Sequence, residues 1–440
     1  MGTSWPRPRA GPSANSWAKS ERKTDLSDNH LNDDNSSESR LAWLLSARGV
    51  REQAHTIFAA TLRGDSEHFS IDERALPLVV ERVARVTQVS YPDFGAIPYH
   101  SRLRHFGVGG VDRWAQFEAR IESLPAQERL RARMDLVITS VLLDAGAGPG
   151  WSYQAATGGS FARSEGLAVA SFEWFMGGGL SSHPTDAPLR ADARRLTTLT
   201  EDDVAIAFQV RRENRLVGLG GRTRVLQRLG AVTRARGDWF RPEAPGVERP
   251  GALADVLMER VEDATLAAPR VLEAVLDAFG DIWPGRERLG SKPLGDVWKH
   301  SRFGHVPFHK LSQWLSYSLC ECLELSGVRV SGLDQLTGLA EYRNGGLFVD
   351  LGVIVPRRPS ALGERHSVDS DLVIEWRALT LALLDKVAER LRERWQKTPE
   401  ELPLVKVLEG GTWAAGRAVA RELRADATPP ISIDSDGTVF

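Results

Sequence analysis

The stretch HKLSQWLSYSLCECLE, from His309 to Glu324, contains the clearest helical pattern in the chain. Its apolar and small residues recur at steps of three and four positions, so they share one face of a helix. They are Leu311, Trp314, Leu315, Ser318, Leu319, Cys322 and Leu323. The stretch therefore predicts a helix that packs a single face against the rest of the protein.

A second long helix is predicted in DSDLVIEWRALTLALLDKVAERLRERW, which starts at Asp369. Asp and Ser at its start are residues that cap helices, and its buried face is formed by Leu372, Trp376, Leu379, Leu383, Val387 and Leu391. The same kind of pattern predicts further helices at 49–64, 71–88, 111–123, 126–143, 164–177, 223–236, 251–261 and 268–279. Strand-like alternation is scarce, and its best case is the C-terminal PISIDSDGTVF. The predicted fold class is mainly α, with little β structure.

Two regions differ in composition. Residues 1–38 are rich in Ser, Asn and Asp and lack apolar periodicity, which predicts a disordered N-terminal tail. Residues 39–440 are predicted to form a single large α-helical domain, because 42% of the 440-residue chain is hydrophobic and can bury a large core.

The charge balance narrows the classes of partner. Lys and Arg together number 56 and Asp and Glu 58, so the net charge is −2. That balance removes the attraction that supplies most nonspecific nucleic-acid affinity, so we expect small polar ligands and no nucleic acid. No apolar run is long enough to span a membrane, and the N-terminus lacks the apolar segment of a secretory signal. A cytoplasmic protein without membrane association is expected, and no oligomeric state is predicted.

The stretch LTGLAEYRNGGLFVDLG, from Leu336 to Gly352, places charged residues inside an apolar segment. We expect it to be the second helix of a hairpin, joined to the first by the turn at Ser326-Gly327. A buried carboxylate and guanidinium are costly unless they are paired or used. Glu341 and Arg343 can form a structural network that caps the helix end, or Glu341 can serve as a catalytic carboxylate. Lys310 can extend into water or reach into a cavity beside Glu341.

Basic and glycine-rich segments are candidate anion sites. IPYHSRLRHF brings Arg102, Arg104 and His105 together in a patch that suits phosphate or is simply a solvated loop. EGGTWAAGRAVARELR places Gly410, Gly411 and Thr412 at an expected helix start, where free N–H groups favour phosphate and Arg417 follows. The alternative is that the glycines only form a turn and that the threonine caps the helix.

Other candidate residues have less specific signals. Trp151 and Tyr153 follow the glycine-rich DAGAGPG and can form the wall of a pocket, and Ser164 and Glu165 stand at another expected helix start. Histidines at 300, 305 and 309 have a spacing seen in metal sites, but Gly304 and Pro307 interrupt any helix that would align them. No metal or cofactor is expected. Cys320 and Cys322 diverge on a helix, so no disulfide is predicted.

Several blocks of the chain, taken together, carry a resemblance to a known family. They are HSRLRHFGVGGVDRW, VLLDAGAGPGWSY, VPFHKLSQWLSYSL, LTGLAEYRNGGLFVDLGV, DSDLVIEWRALTLALLD, LEGGTWAAGR and SDGTVF. With these blocks the chain resembles the uracil catabolism protein 4 family of fungi and bacteria, from about Ala42 to Phe440. This resemblance implies a role in a pyrimidine-degrading pathway that passes through a ribosylurea-type intermediate.

A more distant resemblance concerns the chemistry. FHKLSQWL, AEYRNG and DLVIEWRALTLALL are similar to motifs of queuosine-nucleotide N-glycosidases. That resemblance implies an all-α fold like that of helix-hairpin-helix DNA glycosylases, with its core at about 296–395. It also implies a catalytic carboxylate at Glu341 and an active-site lysine at Lys310. Glu replaces the Asp of those proteins, and Asn344-Gly345 replaces their apolar-Pro pair, which implies a different and smaller leaving group.

The two resemblances together imply hydrolysis of ribosylurea, or of its 5′-phosphate, to urea and ribose or ribose phosphate. Glu341 would stabilise the cationic transition state and activate water. Lys310 and Arg343 would hold the leaving group or tune Glu341. The expected substrate-binding residues are Trp151, Tyr153, Ser164, Glu165, His309, Asn344, Glu375 and Arg377. The expected phosphate-binding residues are Gly410, Gly411, Thr412, Arg417, Arg102, Arg104 and His105.

Three alternatives remain open at the level of sequence. A metal-dependent amidohydrolase could act on a ring-opened pyrimidine nucleotide. A DNA glycosylase is suggested by the fold analogy alone and opposed by the charge balance. A non-catalytic partner of the ring-opening, cyclohydrolase-like enzyme would turn over no ribosyl compound.

Overall fold

The computed structural model describes residues 33–241, 247–283 and 287–434. The chain divides into two units, Met1–Arg40 and Leu41–Phe440. Residues 1–32 of the predicted tail lie outside the described residues, and so do the last residues of the C-terminal SDGTVF. Within the described part of the tail a helix begins at Asp33, so this segment contains structure that its polar composition did not predict.

The described residues are mainly helical, which confirms the predicted fold class. The α-helices, in chain order from α1 to α17, are Asp33–Leu44, Ala47–Leu62, Leu76–Ser90, Arg102–Phe106, Arg113–Ile121, Ala126–Leu142, Arg163–Met176, Ala193–Thr198, Glu201–Ala207, Leu219–Ala235, Leu253–Met258, Ala268–Phe279, Lys310–Glu324, Tyr342–Asp350, Asp371–Trp395, Leu404–Val407 and Trp413–Leu423. Every helix predicted from periodicity is present, with ends that differ by a few residues.

The strands are short. From β1 to β12 they are Phe69–Ile71, Ser152–Gln154, Ser160–Ala162, Thr265–Ala267, Arg288–Leu289, Lys292–Pro293, Val297–His300, Gly304–Pro307, Arg329–Ser331, Ile354–Pro356, Arg365–Ser367 and Ser432–Asp434. Within the described ranges they pair only as two-stranded sheets: β1 with β10, β2 with β3, β4 with β9, β5 with β6, β7 with β8, and β11 with β12. The predicted C-terminal strand is β12, which pairs in parallel with β11.

Helix α13, which contains the opening stretch, is buried on nearly every side and not on one face only. It packs between α6 and α12 and also contacts α4. Its polar residues are compatible with this burial because their hydroxyls bond within the helix: Ser316 Oγ donates to Ser312 O at 2.8 Å and Ser318 Oγ to Trp314 O at 2.9 Å. Periodicity identified the helix but underestimated how much of it is enclosed.

The hairpin predicted after α13 is wrong in its second half. Gly327, with φ +88°, makes the tight turn, but the chain then forms β9, which pairs in parallel with β4. The next helix, α14, begins only at Tyr342. Glu341 is its N-cap residue in extended backbone, φ −115° and ψ 162°, so the motif AEYRNG marks a helix start and not a helix interior.

Helix α15 is the longest helix of the described residues and is largely buried in its first half. Most of its residues from Leu372 to Leu384 are buried, and it packs against α2, α3 and α14. Helix α14 packs on α15, and α13 packs between α6 and α12, so their N-terminal residues, Lys310 and the capping Glu341, are carried on packed elements. No helix in the described ranges is both long and apolar enough to cross a membrane.

Candidate functional site

The residues predicted as the catalytic pair are brought together at the beginnings of two helices. Lys310 is the first residue of α13, and Glu341 directly precedes α14. Both residues keep an intermediate exposure although protein surrounds their charged groups. Each charge favours the ionised form of the other: Glu341 raises the pKa of Lys310, and Lys310 lowers the pKa of Glu341.

Burial dominates the electrostatics of this pair. It raises the pKa of Glu341, against the opposing effects of two backbone N–H donors and of the Lys310 charge. The donors are the amides of Arg343 at 2.7 Å and Asn344 at 2.5 Å. Burial likewise lowers the pKa of Lys310, with Glu341 and Asp144 acting in the opposite direction. A carboxylate that is held fixed and made more basic suits an electrostatic or general-base role.

Asp144 is a site residue that sequence reasoning missed. Its carboxylate accepts from Arg102 Nη1 at 2.9 Å and from Ser164 Oγ at 2.9 Å, and it interacts with Lys310. The sequence contained an indirect signal for it. Asp144 lies just past the C-terminal end of α6, where the helix dipole disfavours a negative charge, so a carboxylate there needs partners. The structure also explains Ser164, whose hydroxyl orients this carboxylate.

Two histidines and two tryptophans form an aromatic cluster beside the charged pair. The ring centroid of His105 lies 5.6 Å from that of Trp314 and 6.2 Å from that of Trp413. His100 lies 6.0 Å from Trp413, its Nδ1 is 2.7 Å from a Glu409 oxygen, and its charge affects the pKa of Glu341.

Burial and the neighbouring Arg102 lower the pKa of His105 to about 4, so this imidazole is neutral near neutral pH. The tryptophans lie on predicted helices, but nothing in their spacing indicated that they would meet the histidines.

The basic patch predicted around His105 is divided by the fold. Arg102 is fully buried and donates from Nε to Ser140 Oγ at 2.7 Å as well as to Asp144. Arg104 turns to the other side of α4, where it pairs with Glu321 at 2.5 Å. With its donors committed to Asp144 and Ser140, Arg102 stabilises the local structure, and the role of the three residues in phosphate binding stays a prediction.

Arg343 does not pair with Glu341, which corrects the predicted network. Its Nη1 donates to Ala427 O at 2.8 Å, and its guanidinium carbon lies 4.9 Å from the centre of the Tyr342 ring. Asn344 is fully buried, and its Nδ2 donates to Leu339 O at 3.3 Å. The cap on α14 is made by Glu341 alone, through main-chain donors.

Arg417 and Glu165 come together at the rim of the aromatic cluster. Their Nη1 and Oε1 atoms are 2.5 Å apart, and the guanidinium lies 4.8 Å from the centre of the Trp413 ring. Glu165 also interacts with His105. Two residues predicted for different roles, substrate binding and phosphate binding, are therefore partners of each other.

Several predicted substrate-binding residues have their polar atoms engaged elsewhere. The indole N–H of Trp151 donates to Phe208 O at 2.9 Å, and Tyr153 donates to Glu173 at 2.8 Å. His309 Nε2 lies 2.8 Å from Leu44 O. These contacts stabilise local structure, so the assignment of the three residues to substrate binding finds no support in their geometry.

Glu375 and Arg377 also lie behind the site. Glu375 accepts from Ser66 and lies 3.2 Å from His300 Nε2, inside a separate buried cluster. Arg377 pairs with Asp296 at 2.8 Å, and the same carboxylate accepts from the Lys310 backbone N–H at 3.0 Å. Arg377 thus positions the start of α13 and not a substrate.

The phosphate cradle predicted at Gly410, Gly411 and Thr412 is wrong in its structural basis. These residues lie in a π-helical turn, Leu408–Thr412, between α16 and α17, so the helix runs through them and does not start there. Helix interiors use their N–H groups internally. The glycines serve packing instead, since a Cβ on Gly411 would lie 2.5 Å from Thr87 Oγ1 and 2.6 Å from Val83 Cγ1.

Gly411→Ala is expected to lower the free energy of unfolding by about 1–3 kcal/mol, because the added methyl overlaps α3. Gly410→Ala is the matched control: its nearest neighbour, Thr87 Cγ2, is 3.2 Å from the added Cβ, and we expect a smaller loss. Chemical denaturation measures both. Equal stability of Gly411→Ala and wild type would contradict the packing role.

The three histidines with metal-like spacing have different partners. His300 faces Glu375, His305 lies 3.7 Å from Glu287, and His309 faces Leu44. In the part of the chain that the structure describes, no group of three or more His, Cys, Asp or Glu side chains is arranged to hold a metal ion. Cys320 and Cys322 are both buried and free.

Comparison with known proteins covers nearly the whole chain. Residues 43–440 match the family model described as "Protein of unknown function (DUF1688)". Protein urg3 of Schizosaccharomyces pombe is 38% identical over 411 residues, which cover 91% of this chain and 99% of that protein. Uracil catabolism protein 4 of Lachancea kluyveri is 35% identical over 448 residues, again covering 91% of this chain and 99% of the relative. The resemblance to the uracil catabolism protein 4 family is confirmed.

Proposed function

The chain belongs to the DUF1688 family, and from this premise we propose that it is an enzyme of uracil catabolism that hydrolyses an N-ribosyl bond. The name of the Lachancea kluyveri relative supports the pathway. The proposed substrate is ribosylurea or its 5′-phosphate, and the products are urea and ribose or ribose phosphate. The observation that carries the proposal is the Glu341–Lys310 pair, with a carboxylate held by two amides beside a buried ammonium.

The reaction requires stabilisation of positive charge. As the bond between the anomeric carbon and the urea nitrogen breaks, its electrons leave with nitrogen and the ribosyl group acquires oxocarbenium character. A carboxylate fixed by the Arg343 and Asn344 amides faces this charge without having to reorganise. Water adds to the anomeric carbon and loses a proton to Glu341, which returns to the carboxylate form as one proton is delivered to the leaving urea nitrogen, so that the net reaction consumes one water.

Lys310 is assigned to the leaving group. The charges of Glu341 and Asp144 both raise the pKa of its ammonium. The ammonium can donate a hydrogen bond to the departing urea oxygen. The neutral His105 and the indoles of Trp314 and Trp413 provide a nearby surface of low polarity for a small planar group such as urea. Arg343 acts on Glu341 through its backbone N–H, which lowers the pKa of that carboxyl, while its guanidinium contacts Ala427 O.

The pH dependence of kcat/KM should reflect both members of the pair. Glu341 must be ionised, so the rate falls as pH drops through its pKa, which burial places above the usual glutamate range. Lys310 must be protonated, so the rate also falls as pH rises through its pKa, which burial places below the usual lysine range. We expect a bell-shaped profile that is narrowed from both sides.

Lys310→Met separates the two limbs of this profile. It should remove the alkaline limb and move the acid limb further up, because the charge that lowers the pKa of Glu341 is lost. Steady-state rates across the pH range, with circular dichroism to verify folding, provide the measurement. An unchanged alkaline limb in Lys310→Met would assign that limb to another group.

The proposal is tested by incubating the purified full chain with ribosylurea and with its 5′-phosphate and assaying urea. Urea release that resists chelation is the expected result, whereas no urea from either compound refutes the proposal. Ammonia release from a ring-opened pyrimidine nucleotide, abolished by a chelator, would support the amidohydrolase alternative. Co-purification with the cyclohydrolase-like enzyme without turnover would support a non-catalytic role, and tight DNA binding at low salt would support a glycosylase.

A further inference from the structure

Two arginine side chains meet at one loop near the start of α14. Arg343 Nη1 donates to Ala427 O at 2.8 Å, and Arg163 Nη2 approaches Asp426 O at 3.4 Å. Because these carbonyls belong to consecutive residues, the two guanidinium groups are neighbours. Arg163 is the first residue of α7 and Arg343 lies in the first turn of α14, so distant parts of the sequence supply them.

A third arginine is close to this pair. Helix α17 packs so tightly on α14 that a Cβ on Gly416 would lie 2.3 Å from Arg343 O, and Arg417 is the next residue. Burial lowers the pKa of Arg343 most, and the positive charges of Arg163 and Arg417 act in the same direction, while Tyr342 and Glu341 oppose them. Three cations therefore converge on one region, which we call the arginine cluster: Arg163, Arg343 and Arg417.

The arginine cluster has too few carboxylates. Arg417 pairs with Glu165. Among the described residues neither Arg163 nor Arg343 forms a salt bridge, and the guanidinium of each donates to a main-chain carbonyl. Arg343 is only 5% exposed. Holding a desolvated guanidinium near two like charges is unfavourable, and a bound anion relieves that cost.

We infer that the arginine cluster binds a phosphate monoester, and thus that the substrate of the proposed hydrolysis is the 5′-phosphate and not the free riboside. The inference rests on the proposed function for the identity of the sugar. Planar guanidiniums match phosphate oxygens with paired hydrogen bonds, which ammonium groups do not. Arg343 is two residues after Glu341. The anion site and the carboxylate that faces the anomeric carbon therefore belong to the same helical turn.

Binding measurements separate this site from the chemistry. Calorimetry on the full chain should show ribose 5-phosphate binding at least about tenfold more tightly than D-ribose. Arg163→Gln should remove most of that difference. This arginine is exposed and lies outside the core, so the variant should fold; Arg343→Gln is the second variant, with thermal unfolding as its check. Arg270→Gln, which breaks an exposed pair with Glu273, is the matched control and should bind like wild type.

Each outcome has a distinct meaning. Equal affinity for ribose and ribose 5-phosphate, or an Arg163→Gln protein that binds like wild type, overturns the phosphate site. If urea is released from ribosylurea as fast as from its 5′-phosphate, the phosphate site fails and the proposed hydrolysis stands. If ribose 5-phosphate binds as expected and no urea is released from either compound, the hydrolysis fails and the phosphate site stands.

Discussion

Glu341→Gln is expected to lower the rate of urea release by about 100- to 1,000-fold, the range seen when one preorganised electrostatic partner of a transition state is removed. Glutamine keeps the shape of the side chain but carries no charge to oppose the developing oxocarbenium ion and cannot take a proton from water. The loss should appear mainly in kcat, since the interaction strengthens only as the bond breaks.

The fold should survive this change. The amide oxygen of glutamine can still accept from a backbone N–H of Arg343 or Asn344, so α14 keeps a cap. Glu118→Gln, at a carboxylate that pairs with Arg133 at 2.6 Å, is the matched control and should retain wild-type turnover. Single-turnover rates and thermal unfolding should be measured for both proteins. Undiminished urea release by Glu341→Gln would remove Glu341 from the mechanism.

Asp135→Ala is expected to cause the largest loss of stability, about 3–5 kcal/mol. Asp135 is fully buried and accepts from Arg249 Nε at 2.8 Å, from the Gly251 amide at 2.6 Å and from the Ala191 amide at 3.2 Å. It therefore holds α6 to the segments that precede α8 and α11. Its removal leaves a guanidinium that is only 1% exposed without this carboxylate.

The cost of leaving the Arg249 guanidinium without its carboxylate can be separated from the cost of the lost side-chain volume. The double variant Asp135→Ala/Arg249→Met removes both charges, so it should be more stable than the single variant Asp135→Ala. Glu273→Ala, which breaks the exposed pair with Arg270, should cost less than about 1 kcal/mol. Urea denaturation provides the free energies. A double variant less stable than the single one would show that the stranded charge is not the main cost.

Helix positions were largely readable from the sequence because periodicity is a local property. The patterns at 126–143 and 268–279 correspond to α6 and α12, although α6 is buried on every side from Ala132 to Leu142. The exceptions have a tertiary cause. Leu336–Ala340 is apolar but not helical, since the chain first pairs β9 with β4 and then stops at the Glu341 cap. Gly410 and Gly411 suggested a break, yet the helix continues because their missing side chains admit α3.

By itself the sequence determined where most of the helices lie, and its motifs singled out Glu341 and Lys310. Only the tertiary structure decided their surroundings: Asp144 beside the lysine, the His100–Glu409 contact, the tryptophans around His105, and the arginine cluster. The reason is physical. Periodicity encodes that a face is buried but not which face it meets, and burial, which shifts the pKa values of Glu341 and Lys310, exists only when distant segments close around them.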